Sequence, residues 1–440
     1  MISMNLRHFI QDLEAKNNLI RIKKQVSATY EIANILAKFD GTPVIFDNVK
    51  DHNTKVIGNL FSSRDLIAQA LNTKKENLLK IMSNSINNPI TPKTVKTAPC
   101  QEIIEKNVDL NTLPILKYLP SDGGKYIPSA IIIIKDNKLG RNVCFHRLML
   151  IGKDKLVARI VENRGTHNAL KKSKESLEVA ICIGNSAATL LAAATSINPK
   201  DDEFALANAI EKTDLVKCKT VNLEVPCDSE IILEGTITHE LADEGPFMDL
   251  TETIDHIRKQ PVIKINCITK RKDAIYHTIL PGLSEHKNLM GMPREPTIFD
   301  EVNKVVKCNN VLLTNGGGGW LHAIIQIEKK NKNDGKKAIK AAFEGHKSLK
   351  KCTIVDSDIN IYNPESVEWA QATRYQAGKD TIILLNQPSS SLDPSATHKT
   401  GEKSKTDKIG IDATIPFNKD KNEFKKQNYK KINPQNYIQG

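Results

Sequence analysis

The chain has 440 residues and carries 63 lysines and arginines against 51 aspartates and glutamates, a formal net charge of +12 at pH 7. With 40% hydrophobic and 26% charged residues it is a globular, enzyme-sized chain, long enough for two or three domains around a large buried core. The longest apolar stretches, Ile127 to Ile134 and Ala187 to Ile197, are too short to span a bilayer. The lysines are spread along the chain without interleaved aromatics, which argues against a nucleic-acid binder.

Met1 to Ile10 lacks the apolar core of a signal peptide, so a cytoplasmic location is expected. Leu6 to Ile20 has helical periodicity, Leu19 to Val26 is extended, Glu31 to Phe39 is helical again and Pro43 to Phe46 is a strand. Asn59 to Ile81 is expected to be helical, with Ser62 and Ser63 as candidate caps. Pro89, Pro92 and Pro99 punctuate a polar connection that closes an N-terminal α/β domain, residues 1–105. Short β-branched runs then dominate residues 106–296: Ala130 to Ile134, Asn142 to Ile151, Leu156 to Val161, Val179 to Ile183, Val221 to Val225, Ile231 to Ile237 and Val262 to Ile268. They predict a sheet or barrel domain with embedded helices at Asn185 to Ala194 and Glu203 to Ala209. Alternating helix and strand returns in a C-terminal α/β domain, residues 297–388. Residues 389–440 form a polar, lysine-rich tail whose only apolar stretch is Ile409 to Ile415, with parts packing as an arm on a neighbouring subunit. The eight cysteines are far apart, form no Cys-x-x-Cys pair and are expected to be reduced core residues. The fold class is therefore mixed α/β.

Chemistry concentrates in His239 to Asp249, where acidic residues surround a Gly-Pro turn after an apolar strand. Glu244 and Asp249 are five apart, a spacing that neither a helix nor a strand brings to one face, whereas Gly245-Pro246 folds the backbone so that both converge. Two such carboxylates at the edge of a core repel and desolvate each other, so that one stays protonated as a general acid while the other stays ionised. A zinc-protease reading of His239-Glu240 fails because Asp243 occupies the second histidine position and the Gly-Pro step breaks the required helix. Gly316 to Gly319 lacks a Gly-Lys-Ser/Thr ending and is expected to be a turn between strands.

Several segments in the same order and at similar separations resemble the UbiD-type decarboxylases, which depend on prenylated FMN. They are Asn142 to Arg147, Arg159 to Val161 with Arg164-Gly165, Asp202-Glu203-Phe204, Val225-Pro226 to Glu234-Gly235, Glu244 to Phe247 with Asp249, Asp273 to His277, and Gly410 to Thr414. The resemblance implies a central split β-barrel domain that holds the cofactor, flanked by α/β domains in a homo-oligomer. It makes Arg147 the partner of Glu244, and Asp249 the acid that protonates carbon after carbon dioxide leaves. By the same resemblance Phe145, His146, Arg147, Arg159, Ile160, Val161, Arg164 and Gly165 cradle the flavin, and Asn142 and Glu203 hold a divalent metal at its phosphate. Amide and carboxylate oxygens suit Mn2+ or Mg2+, with K+ as a further ion. Relatives often have a histidine just before the Arg-Gly step; this chain has Asn163 there, with His167 downstream as a substitute.

A flavin prenyltransferase is implied as cofactor supplier. Resemblance to archaeal members, through Val179 to Ile181, Ala192 to Ser196 and Ser390 to Pro394, implies trans-anhydromevalonate 5-phosphate as substrate and isopentenyl phosphate as product. The alternatives are a 4-hydroxybenzoate-type aromatic acid and a non-catalytic scaffold of the same fold.

Overall fold

The computed structural model describes residues 4–399, 402–427 and 432–438. Three sheets carry the architecture. The first has four strands in the order Ile20–Ile22, Val44–Phe46, Lys55–Gly58 and Ile275–His277. Its last strand lies parallel to Lys55–Gly58 and comes from beyond the central sheet, so the N-terminal layer is closed by a distant part of the chain. The long helix expected over Asn59 to Ile81 is two helices, Arg64–Ala70 and Leu78–Asn87. Ser63 caps the first by accepting from Leu66 N–H, and Asn72, at φ 48°, ends it.

The central sheet has nine strands, and its hydrogen-bonded path runs from Tyr126–Ile127 at one edge to Gly140–Phe145 at the other. Each pairing in it is antiparallel, including that of Ile103–Glu105, which joins from before residue 106. Side-chain parity explains the uninterrupted apolar runs. Ile132, Ile134, Ile181 and Leu233 pack into one core, while Ile131, Ile133, Cys182 and Ile232 pack into another on the opposite face. Both faces are therefore covered.

Strand Ile231–Glu244 runs seven residues beyond the predicted Ile237 and pairs with Arg258–Lys270. Its second half carries no apolar alternation. Cross-strand charge holds it instead, with Lys259 Nζ 3.1 Å from Asp243. His239 and Asp243 lie on this strand, so no helix presents them to a metal.

The C-terminal sheet has five strands in the order Cys308–Leu313, His322–Ile327, Lys351–Asp356, Lys405–Asp412 and Thr381–Pro388. Helices Glu295–Asn303 and Asp334–Gly345 cover one face and Pro364–Arg374 the other. This corrects the reading of residues 389–440 as a tail for the stretch Lys405–Asp412. Lys405–Asp412 is an inner strand, parallel to Lys351–Asp356 and antiparallel to Thr381–Pro388. Polar residues face its core: Lys408 is buried over the Phe343 ring and donates to Lys347 O. The rest of that segment is partly outside the described residues, at 400–401, 428–431 and 439–440. Gly316 to Gly319 forms the expected turn between strands. All eight cysteines are free thiols.

Candidate active site

The run expected as one strand from Asn142 to Ile151 breaks at His146-Arg147, between strands Gly140–Phe145 and Leu148–Leu150. The break releases Arg147 toward the Gly-Pro turn. Its Nε and Nη2 donate to the two Glu244 oxygens at 2.8 and 2.9 Å, Nη1 donates to Asp249 Oδ2 at 2.8 Å, and Nη2 also donates to Asp255 Oδ2 at 2.8 Å. The sequence reading gives Arg147 to Glu244 alone; in the structure one guanidinium gathers three carboxylates. Burial opposes its charge, but these acids outweigh burial and raise its pKa. Burial likewise pushes Asp255 up, while Arg258 and Arg147 hold it below the usual carboxylate range.

Glu244 has no exposed side-chain surface and Arg147 keeps 9%, whereas Asp249 keeps 22%. Asp249 is therefore the more accessible of the two predicted acids. Its Oδ1 accepts from Leu250 N–H at 2.6 Å. Gly245 makes the turn at φ 102°, a region that only glycine enters freely.

The turn is clamped by residues that the sequence reading did not single out. Tyr126 donates to Glu244 Oε1 at 3.2 Å, accepts from Gly245 N–H at 3.0 Å and stacks on Phe247 with centroids 3.9 Å apart. Gly123 N–H donates to Pro246 O at 2.8 Å, and a Cβ on Gly123 would lie 2.1 Å from Gly245 O. Asp255 lies on a short hairpin opposite Phe247. His286 is beside this group; its Nδ1 accepts from Gly282 N–H at 3.0 Å, and burial lowers its pKa against the pull of Asp249.

The predicted cofactor residues form a chain of contacts around the same strand. Arg159 N–H donates to Arg147 O, and Ile160 N–H donates to Gln260 Oε1 at 2.7 Å. Ile160 is buried and Val161 exposed. His146 lies 3.0 Å from Thr166 Oγ1, and burial pushes its pKa down to about 4, so it is neutral at physiological pH. Phe145 ends strand Gly140–Phe145 and packs at the edge of the second core. Arg164 stands at the N-cap position of helix Gly165–Lys172 without a side-chain capping bond.

Asn142 and Glu203 are brought together. Asn142 Nδ2 donates to Glu203 Oε1 at 3.4 Å, and Val143 N–H donates to Oε2 at 3.0 Å. Burial pushes the Glu203 pKa up to about 7. Gly165 touches Asn142 so closely that a Cβ there would lie 2.1 Å from Oδ1. A buried carboxylate and an amide oxygen beside an open helix start fit a hard cation at a phosphate. Among the described residues, no group of three or more His, Cys, Asp or Glu side chains forms a metal cage, so a bound ion needs further oxygens from elsewhere. His167 Nδ1 accepts from Asn163 N–H at 3.3 Å, within its own turn. No helix among the described residues is long and apolar enough to cross a membrane.

Models of the 3-octaprenyl-4-hydroxybenzoate carboxy-lyase family match in succession along the chain: its N-terminal domain over residues 10–86, its Rift-related domain over 93–284 and its C-terminal domain over 287–413. Anhydromevalonate phosphate decarboxylase of Methanosarcina mazei is 43% identical over 421 residues, 93% of this chain and 96% of that protein. The structure of the UbiD-class enzyme HmfF from Pelotomaculum thermopropionicum in complex with FMN superposes with a TM-score of 0.92 at 36% identity, covering 99% of this chain and 98% of that one. An evolved dimeric form of HmfF in complex with prenylated FMN has a TM-score of 0.89 at 35% identity, covering 99% of each chain. With all three domain models matched in order and full-length likeness in both sequence and structure, the chain belongs to the UbiD family of carboxy-lyases.

Proposed function

We propose that the protein is a non-oxidative decarboxylase that uses prenylated FMN and a divalent metal, Mn2+ or Mg2+, to convert trans-anhydromevalonate 5-phosphate to isopentenyl phosphate and carbon dioxide. The observation that carries this reading is Arg147 holding Glu244 and Asp249 on one guanidinium, with only Asp249 appreciably exposed. The name of the Methanosarcina mazei relative supports the choice of substrate.

The bound cofactor supplies an electron sink for the carbon that loses carbon dioxide. The chain's residues supply the rest. Arg147 fixes both carboxylates, and Tyr126 and Gly123 fix the turn that separates them. Asp249, protonated and released from Arg147, donates its proton to the carbon that has lost carbon dioxide, and the carboxylate so formed returns to its Arg147 contact. Asn142 and Glu203 would hold the divalent metal, which would supply positive charge for an anionic group, with Gly165 leaving room for close approach. K+ is a further candidate ion. A flavin prenyltransferase supplies the cofactor, and the active form is a homo-oligomer in the cytoplasm.

The test is carbon dioxide release from trans-anhydromevalonate 5-phosphate by protein co-produced with a flavin prenyltransferase and supplied with manganese. Release is expected, and Asp249→Asn is expected to abolish it while leaving cofactor bound. No release from protein shown to carry the cofactor would refute the substrate. Unchanged activity in Asp249→Asn would refute the acid.

A further inference from the structure

Asp249 opens a tight turn. Its N–H donates to Thr253 O at 3.0 Å, and Glu252 N–H donates back to Asp249 O at 2.9 Å. Glu252 makes this turn at φ 62°. Of the eight non-glycine residues with positive φ among the described residues, six are Asn or Asp, which tolerate that region; Tyr30 and Glu252 are the exceptions. A long side chain held in a backbone conformation that glycine adopts freely points to a task for the side chain. The structure shows its contact. Lys287 Nζ donates to Glu252 Oε1 at 2.5 Å. Lys287 keeps 11% of its side-chain surface exposed, and Glu252 is the only carboxylate within 4.0 Å of it among the described residues.

The pair ties the turn to helix Ser284–Gly291, which carries Lys287 beside His286. The fit is close on both sides. A Cβ on Gly282, just before that helix, would lie 3.0 Å from Glu252 Cγ and 3.1 Å from Asp249 O. On the other side a Cβ on Gly318 would lie 3.6 Å from Leu250 O, and one on Gly319 would lie 2.7 Å from Lys287 O. Among the described residues, only two side-chain bonds hold residues 249–253 to the rest of the protein: Arg147 at Asp249 and Lys287 at Glu252. Asp249 must leave Arg147 before it can deliver a proton, and the Lys287–Glu252 pair is then the remaining ionic tether of the turn.

We propose that Glu252 and Lys287 are positioning residues, whose ion pair holds the acid turn on helix Ser284–Gly291 while Asp249 is free of Arg147 and so sets the place from which the proton is delivered. The inference rests on the reading of Asp249 as the acid. An ion pair with one exposed partner adds little to overall stability, so its loss should show in turnover rather than in melting.

The experiment compares the full-length parent with Glu252→Gln, Lys287→Met, the double variant, Lys287→Arg and Glu252→Gly. Hydrogen exchange of residues 249–253 is followed by mass spectrometry on protein without substrate, and kcat and KM are taken from carbon dioxide release by cofactor-loaded protein. Both single variants should lower kcat about ten-fold, less than the roughly 100-fold expected for a 1 Å misplacement of a reacting group, with KM and Tm unchanged. The turn should exchange faster in both. The double variant should be no worse than either single one, because each breaks the same contact, and Lys287→Arg should recover most of the turnover. Glu252→Gly suits the backbone but lacks the carboxylate, so it should keep Tm and still lose turnover. A kcat within about two-fold of the parent in both single variants would overturn the proposal, as would additive losses in the double variant. A kcat loss matched by a fall in Tm in every variant would reduce the pair to a structural brace and overturn it too. Full turnover in Asp249→Asn would refute the acid itself. Should the parent release no carbon dioxide from the chosen acid, the exchange measurement decides on its own, and unchanged exchange in both single variants overturns the tether.

Discussion

Gly123 lies more than 120 positions before the acids, yet the structure makes it a determinant of their geometry. A Cβ at Gly123 would fall 2.1 Å from Gly245 O and 2.6 Å from Gly245 C, both backbone atoms that no rotamer change can move aside. To restore ordinary contact in Gly123→Ala, the two backbones must separate by about 1 Å. That movement strains the 2.8 Å bond from Gly123 N–H to Pro246 O and shifts Glu244 and Asp249 relative to Arg147. Overpacking of this kind costs about 1–3 kcal/mol. In a domain of 150–250 residues each kcal/mol lowers Tm by about 2–4 °C. A misplacement of about 1 Å in the acid is expected to lower turnover about 100-fold. The assay pairs circular-dichroism melts of the apoprotein with initial rates of carbon dioxide release. Gly316→Ala is the control, because a Cβ there meets nothing within 4 Å. A Gly123→Ala protein that melts with the parent and turns over within two-fold of it would refute the argument that this contact sets the site.

Arg147→Met removes the partner of Glu244, a side chain with no exposed surface, and should cost about 3–5 kcal/mol because the carboxylate stays buried. Adding Glu244→Gln should recover part of that loss in a thermal double-mutant cycle; strict additivity would show that the pair is not coupled. The second expectation concerns acid. Burial pushes the pKa of His146 and His322 down to about 4 and that of His346 down to about 3. A folded pKa below the unfolded value favours the neutral ring, so this stability is fully present above about pH 6.5 and is lost as pH falls toward 4. The full loss amounts to about 3 kcal/mol for His146 and for His322 and about 5 kcal/mol for His346, the last complete only near pH 3. Tm should be level above pH 7 and fall steeply below 6.5, less steeply in His346→Gln. A level Tm down to pH 5 would contradict the burial argument.

The sequence displayed its core more openly than its site, for physical reasons visible in single elements. Ile131 to Ile134 and Val179 to Ile183 are apolar at every position because both faces of their sheet are covered, so their strands were legible from composition. Lys405–Asp412 was hidden because its inward positions include Thr406 and Lys408, whose burial depends on Phe343 and on a carbonyl far away in sequence. The outer half of Ile231–Glu244 was hidden for a related reason. Its Asp243 pairs across to Lys259, and a single strand does not reveal its partner.

The candidate site divides along the same line. Glu244 and Asp249 were legible because the Gly-Pro turn that joins them is local. Arg147 entered only through family resemblance, since nothing within its own segment shows that the strand breaks there to release it. Tyr126, Gly123 and Asp255 carried no signal of their own: an aromatic before an apolar run reads as core, and a Gly-Gly pair reads as a loop. Their role exists only once Tyr126–Ile127, at the sheet edge, is brought against the Gly245 turn. Function in this protein therefore resides in contacts between segments more than 90 residues apart, with Arg147 reaching Glu244 and Tyr126 reaching Gly245. Substitutions that disturb only the approach of those segments, such as Gly123→Ala, should damage catalysis as severely as changes to the acids' own neighbours.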